Sequence, residues 1–196
     1  WEKRPRYEFG AGVGYGNRTI GSLSFDMMHA GKYNGENGQA YAVSYSRGLS
    51  QWLSLSVSYR HVVQNERDNQ IFAGLTYFPG KDITLSLNYQ RDKDVQTEVL
   101  QLQKSPPLGE GLSYRVAAEN SDGSDMKAQS INPYVQYNGR YGIYTAEYRG
   151  RFEKDRATNE SYQVSAMGSI VYAGDTLGFS RPVDDSFAIV EVVKTP

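Results

Sequence analysis

The chain has 196 residues, a formal net charge of −1, two His and no Cys. The near-neutral balance argues against a nucleic-acid partner. The absence of Cys excludes disulfides and thiolate metal sites, and is compatible with passage through an oxidising periplasm. With 39% hydrophobic residues and a mean hydropathy of −0.60, the chain is too polar for helical membrane spans. No stretch approaches the roughly 20 apolar residues such a span needs.

What the chain does carry is a two-residue alternation that keeps restarting. Tyr7, Phe9, Ala11, Val13 and Tyr15 alternate with Glu8, Gly10, Gly12, Gly14 and Gly16. A strand turns successive side chains to opposite faces, so this segment has one apolar and one small or polar face. The second strand carries Leu23, Phe25 and Met27 on one face, and a polar loop is expected from Gly31 to Gln39. The third alternates Tyr41, Val43 and Tyr45 with Ala42, Ser44 and Ser46. It turns through Gly48-Leu49-Ser50 into the fourth, where Leu53, Leu55, Val57 and Tyr59 alternate with Ser54, Ser56, Ser58 and Arg60.

A charged loop at 64–69 leads to the fifth strand, with Ile71, Ala73, Leu75 and Tyr77, which closes at Pro79-Gly80. The sixth spans Ile83 to Arg91. The seventh, Val95 to Lys104, puts Val99 on one face and Leu100 and Leu102 on the other, which calls for a bulge or a different register. The eighth has Leu112, Tyr114, Val116 and Ala118 on its apolar face, and a polar loop is expected at 121–127. The ninth holds Ile131, Val135 and Tyr137, with Pro133 as an awkward member because proline removes a ladder donor.

The tenth sets Tyr144, Ala146 and Tyr148 against Thr145, Glu147 and Arg149, and a charged loop follows at 153–161. The eleventh is expected to run unbroken from Tyr162 to Tyr172, and Leu177 to Ser180 reads as a short twelfth. Short turns and long polar loops are expected to alternate, as in a barrel with periplasmic turns and outer loops. Phe187 to Val193 is apolar on both faces and reads as a strand of a soluble sandwich. This gives a boundary near Arg181-Pro182, with 1–182 as wall and 183–196 as the start of a carboxy-terminal β domain. The chain opens on Trp1 with no charged-then-apolar leader and stops at Pro196, and so reads as an internal piece of a longer protein.

The expected fold class is therefore all-β: an antiparallel transmembrane β-barrel wall of about 11–12 strands, forming part of a barrel. Soluble sandwiches also alternate, but their inner faces are rich in Leu, Ile, Val and Phe. Here many apolar-face positions are Tyr, Ala or Gly. The 16 Tyr suit a membrane interface, where an apolar ring and a polar tip are both accommodated.

Catalytic readings are weak. His61 shares the parity of Tyr59 and turns outward, and His29 follows Met27-Met28 at the expected start of a loop. Neither has a nucleophile and an orienter in reach by sequence, so no enzyme activity, catalytic residue or cofactor is expected. Asp184-Asp185 and Asp92-Lys93-Asp94 read as solvated turn carboxylates and not as metal ligands. Gly10 to Gly16 has GxGxGxG spacing on a strand, with no following Lys or helix, so it reads as a row of small side chains and not as a phosphate loop.

Two stretches resemble the outer-membrane usher family of the chaperone–usher pathway. The first is Leu102-Gln103-Lys104-Ser105-Pro106-Pro107-Leu108-Gly109-Glu110-Gly111-Leu112-Ser113-Tyr114-Arg115, similar to an usher turn followed by a strand with an aromatic and an Arg. Pro106 stands where the family usually has Leu. The second runs from Gly168 to Val192, with Ser180-Arg181-Pro182 and Asp185-Ser186-Phe187-Ala188 matching best. The boundary near Arg181-Pro182 falls at the same place without that resemblance.

The resemblance implies the second half of a larger pore with about twice as many strands, in the bacterial outer membrane. It implies assembly and secretion of pilus (fimbrial) subunits. The implied partners are periplasmic chaperone–subunit complexes, outer-membrane lipid and the rest of the usher chain. A passive porin-type barrel is the alternative.

By parity, Ser54, Ser56, Ser58, Arg60, Arg115, Glu119, Glu147 and Arg149 are expected to face the lumen. The same parity makes Leu55→Arg more damaging to membrane assembly than Ser56→Arg.

Overall fold

The computed structural model describes residues 5–33, 37–63, 67–124, 126–154 and 157–183. The segment Phe187 to Val193, expected to open a soluble domain, lies outside the described residues, as does all of 184–196.

Among the described residues there are only strands and their connections. The elements are β1 (Pro5–Asn17), β2 (Gly21–Lys32), β3 (Asn37–Ser50), β4 (Leu53–Val63), β5 (Arg67–Tyr77), β6 (Ile83–Asp92), β7 (Val95–Lys104), β8 (Gly111–Gly123), β9 (Met126–Asn138), β10 (Ile143–Glu153), β11 (Asn159–Met167), β12 (Ser169–Ala173) and β13 (Thr176–Ser180). The first eleven form one antiparallel meander in chain order, and β12 and β13 pair with each other alone. Among the described residues β1 and β11 are not paired with each other, and the sheet is open at both edges.

The alternation decides the faces, because paired residues share a side of the sheet. Leu55 pairs with Leu75, Leu75 with Leu87, Leu87 with Leu100, and Leu100 with Ala118. Their neighbours one residue on form the other row: Ser56 with Gly74, Gly74 with Asn88, Asn88 with Val99, and Val99 with Glu119.

The apolar face is the exposed one. Val13 is 70% and Val164 80% exposed. In β8 the apolar-face residues Leu112, Val116 and Ala118 are exposed, whereas Ser113 and Ser121 of the polar face are buried. Side chains crowd on the inner side of a curved sheet, so the wall curls with its polar face inward. No side chain among the described residues is wholly buried, and the buried apolar residues are only Ala40 and Ala128. A soluble sandwich hides a core of large apolar side chains. That arrangement is inverted here.

The apolar face is bounded by two rows of Tyr. Tyr15, Tyr45, Tyr77, Tyr114, Tyr137 and Tyr144 lie toward the rim that carries the β1–β2 turn, called the lower rim below. Tyr7, Tyr41, Tyr59, Tyr89, Tyr148 and Tyr162 lie toward the upper rim. Rings of adjacent strands meet within each row: Tyr137 and Tyr144 are 6.4 Å apart and Tyr148 and Tyr162 are 4.9 Å apart, centroid to centroid. Tyr7 and Tyr15 bracket a rise of about 27 Å along β1, or ~21 Å across a bilayer at a typical strand tilt of about 40°.

Several expectations are corrected by the backbone. The polar stretches at 31–39 and 121–127 are largely strand: β2 reaches Lys32, β3 starts at Asn37, β8 reaches Gly123 and β9 starts at Met126. Backbone pairing needs no apolar side chain, so the ladder continues beyond the Tyr row. His29 consequently sits within β2, opposite Phe9, and not in a loop.

Short turns and long loops do not alternate. The connections at 93–94 and 124–125 on the upper rim are as short as that at 51–52 on the lower. β7 has no bulge: its register is continuous against β6 and β8, and Val95 and Val99 simply join the polar face. The eleventh strand breaks at Gly168, where a Cβ would lie 2.7 Å from the Tyr141 carbonyl oxygen and 3.3 Å from that of Ser180.

Candidate lumen face

The polar face falls into two halves. On β1 to β5 it is small and mostly neutral. Gly14 and Gly16 pair with Ser24 and Ser22, these with Ser44 and Ser46, and these with Ser58 and Ser56. Ser54 closes the row against Gly48 and Thr76. Ser54, Ser56 and Ser58 are half-buried. Small side chains fit here because the concave side leaves little room: a Cβ on Gly74 would meet Ser56 Oγ at 2.8 Å and Asn88 Oδ1 at 2.9 Å. Arg60 extends this face toward the upper rim, exposed, between Ala42 and Gln70.

On β8 to β10 the same face is charged and connected. Glu147 is 12% exposed and accepts both nitrogens of the Arg149 fork, Nε to Oε1 at 3.0 Å and NH2 to Oε2 at 2.8 Å. Asn132 Nδ2 donates to Glu147 Oε1 at 2.9 Å, and Asn132 Oδ1 accepts from Arg115 NH2 at 3.0 Å. Arg115 NH2 lies 3.6 Å from Glu147 Oε1, and its guanidinium sits 5.7 Å from the ring centroid of Tyr134. Two arginines thus share one sheltered carboxylate, and Arg149, 64% exposed, faces open space. Glu119 stands apart, accepting from Ser121 Oγ at 3.0 Å.

Asn132 also repairs the backbone. Pairing between β9 and β10 holds at Tyr134–Glu147 and Ile131–Gly150 and lapses between, where Pro133 faces Tyr148. Proline has no N–H to give. Asn132 Nδ2 donates to the Tyr148 carbonyl at 3.0 Å instead. Below this point the polar side chains of β9 form a ladder toward the lower rim. Tyr134 OH donates to Gln136 Oε1 at 2.7 Å, Gln136 Nε2 to Asn138 Oδ1 at 2.8 Å, and Asn138 Nδ2 to the Pro107 carbonyl at 3.1 Å.

All eight sequence-derived candidates therefore share one face, but only Arg115, Glu147 and Arg149 come together. Sequence reasoning missed Asn132, Tyr134, Gln136 and Asn138. The signal was present: Ile131, Val135 and Tyr137 on the apolar face oblige the even-numbered residues of β9 to turn inward. The two His lie on the apolar face near the upper Tyr row. His29 Nε2 is 3.3 Å from Tyr7 OH, and His61 Nδ1 is 2.7 Å from Asn69 Oδ1. Among the described residues no cluster of three His, Asp or Glu could hold a metal ion.

No protein-family profile matches the chain. In sequence it is similar to the outer membrane usher protein HifC of Haemophilus influenzae, at 26% identity over 195 residues. A second HifC sequence from that organism is 24% identical over 197 residues. Each match takes in 95% of this chain and 22% of the relative, so the chain spans about a fifth of the length of these relatives.

Among solved structures it resembles the KdgM porin, with a TM-score of 0.42 and 11% identity, covering 81% of this chain and 89% of the porin. The same porin in complex with disordered oligogalacturonate gives 0.43 and 10%, covering 81% and 90%. Likeness in shape at this level carries nothing about what either protein binds.

Proposed function

We propose that this chain is part of the wall of an outer-membrane usher pore, which assembles and secretes chaperone-delivered pilus subunits. The observation that carries the membrane half of this reading is the inverted exposure. The wall presents Val, Leu and Phe outward between two Tyr rows and shelters Ser, Gly, Arg and Glu on its concave side. Lipid requires the first arrangement and a wet lumen the second. The usher half rests on the sequence likeness to HifC along 95% of the chain, together with the residues around Lys104–Arg115 and Ser180–Ala188.

In this role the wall is a scaffold and not an enzyme. Subunit assembly by strand exchange trades one set of main-chain hydrogen bonds and filled pockets for another, so no nucleotide or cofactor is required. The polar face contributes a surface with few apolar handholds. Its Ser and Gly half is small and mostly neutral, and its charged half carries both signs. A passing folded subunit finds no single-sign surface to hold it.

The test uses the parent gene in its own bacterium. Deleting the gene abolishes surface fibres seen by electron microscopy, and the purified parent protein captures chaperone–subunit complexes. Unchanged fibres, with loss of small-solute conductance in planar bilayers instead, overturn the usher reading in favour of a porin.

A further inference from the structure

The β12–β13 hairpin pairs with itself alone, so no backbone ladder among the described residues ties it to the wall. The end of the described chain is tied instead by side chains. Arg181 NH1 donates to the carbonyls of Leu108 and Gly109 at 3.1 and 3.3 Å, contacts that reach back 73 and 72 residues. Next to it, the Val183 N–H donates to Ser169 Oγ at 3.1 Å. We propose that Arg181 and the β7–β8 turn form an intramolecular clamp that fixes where the chain leaves the wall.

The seat is built to be rigid. Pro106 and Pro107 lock two φ angles at the start of the turn. Asn138 Nδ2 holds the Pro107 carbonyl, and the Ser105 N–H donates to the Asp82 carbonyl at 2.8 Å. Gly111 closes the turn with φ of 149°, and a Cβ there would lie 2.9 Å from Pro107 Cγ, so no larger residue is accommodated. Within this turn the Leu108 and Gly109 carbonyls are the acceptors that Arg181 reaches. A guanidinium, always charged, is suited to hold them, and Pro182 then stiffens the exit.

Asn138 belongs to the polar face, so the clamp sits at the lower mouth of the concavity. Resting on the proposed usher reading, its role is to hold whatever follows residue 183 at a set position by the pore mouth. The clamp itself is independent of that reading, and its test is separate from fibre formation.

The experiment is hydrogen–deuterium exchange by mass spectrometry on the full parent protein in lipid vesicles, following the peptide that covers residues 176–183. Arg181→Ala raises exchange in that peptide about tenfold, the loss of one charge-assisted bond network. A peptide from β10 stays unchanged as the control for the wall. Arg181→Lys restores part of the protection, because an ammonium serves one carbonyl better than two. If Arg181→Ala does not assemble, Asn138→Ala loosens the seat without touching Arg181 and is expected to raise exchange in the same peptide. Exchange unchanged in whichever variant assembles, or a 176–183 peptide already unprotected in the wild type, overturns the clamp.

Discussion

Leu87 is the sharpest place to test the assignment of faces. It is the middle outward residue of β6, flanked along the strand by Leu85 and Tyr89 and across it by Leu75 and Leu100. It is a better probe than Leu55, which pairs with Arg47 and so already has a cation beside it. Leu87→Arg puts a guanidinium in the centre of the apolar band, where such a change costs about 2–4 kcal/mol. At about 1.4 kcal/mol per factor of ten, the folding equilibrium falls roughly 30- to 700-fold. The next residue, Asn88, lies on the opposite face between Gly74 and Val99. Asn88→Arg there enters a wet, sheltered surface and is expected to cost under about 1 kcal/mol. The assay is guanidinium unfolding of the parent protein in lipid vesicles, read by heat-modifiable migration on gels. Asn88→Arg as damaging as Leu87→Arg would refute the assignment of the apolar face to lipid.

Three further outcomes follow from the polar network and one turn. Glu147→Ala leaves Arg115 and Arg149 facing each other without their shared carboxylate, and lowers stability by about 1–2 kcal/mol, moderated because both arginines are partly solvated; chemical denaturation of the two proteins measures it. Asn132→Ala strips the substitute donor from the Tyr148 carbonyl and costs about 1–2 kcal/mol, whereas Asn132→Ala with Pro133→Ala recovers part of that by returning a backbone N–H; a double-mutant cycle with no coupling would show that Asn132 does not stand in for the ladder. Gly21, at φ of 88°, opens β2 against the Ser46 carbonyl oxygen, which a Cβ would strike; Gly21→Ala is expected to cost about 2 kcal/mol by unfolding midpoint, more than the same change at the open position Gly109.

The faces were legible in the sequence because alternation has a period of two and each strand restarts it. Ser54, Ser56, Ser58 and Arg60 could be placed inward from Leu53, Leu55, Val57 and Tyr59 alone. β7 was ambiguous because Val99 is apolar on the polar face, and a pattern of apolar letters cannot distinguish an inward valine from a slipped register. Strand ends were misjudged where outward residues turn polar. Ser121 to Lys127 looks like a loop by composition, yet β8 reaches Gly123 and β9 starts at Met126, because main-chain bonds ignore side-chain polarity. The Arg115–Asn132–Glu147–Arg149 network joins three strands, so no local window contains it. The clamp is further still from sequence reading, since Arg181 meets the β7–β8 turn only once eleven strands are laid side by side.

Under the usher reading proposed above, size calls for more strands than the eleven described in this sheet. A barrel closed from 11 strands spaced ~4.8 Å apart and tilted about 40° would have a backbone radius of roughly 11 Å. Side chains about 5 Å deep would leave a bore near 6 Å in radius, enough for small solutes. Twice the strands give a radius of roughly 22 Å, and a bore near 17 Å. A folded domain of ~100 residues, with a radius of gyration of about 13 Å, is a body of about 17 Å radius. Such a body fits the larger bore and not the smaller. The open edges at β1 and β11 point the same way, because an unpaired edge strand in lipid leaves a row of unsatisfied N–H and C=O groups at several kcal/mol each. Partner strands on both sides satisfy those groups and widen the bore together. Under the usher reading proposed above, the strands that satisfy those groups would also make the pore wide enough for a folded subunit.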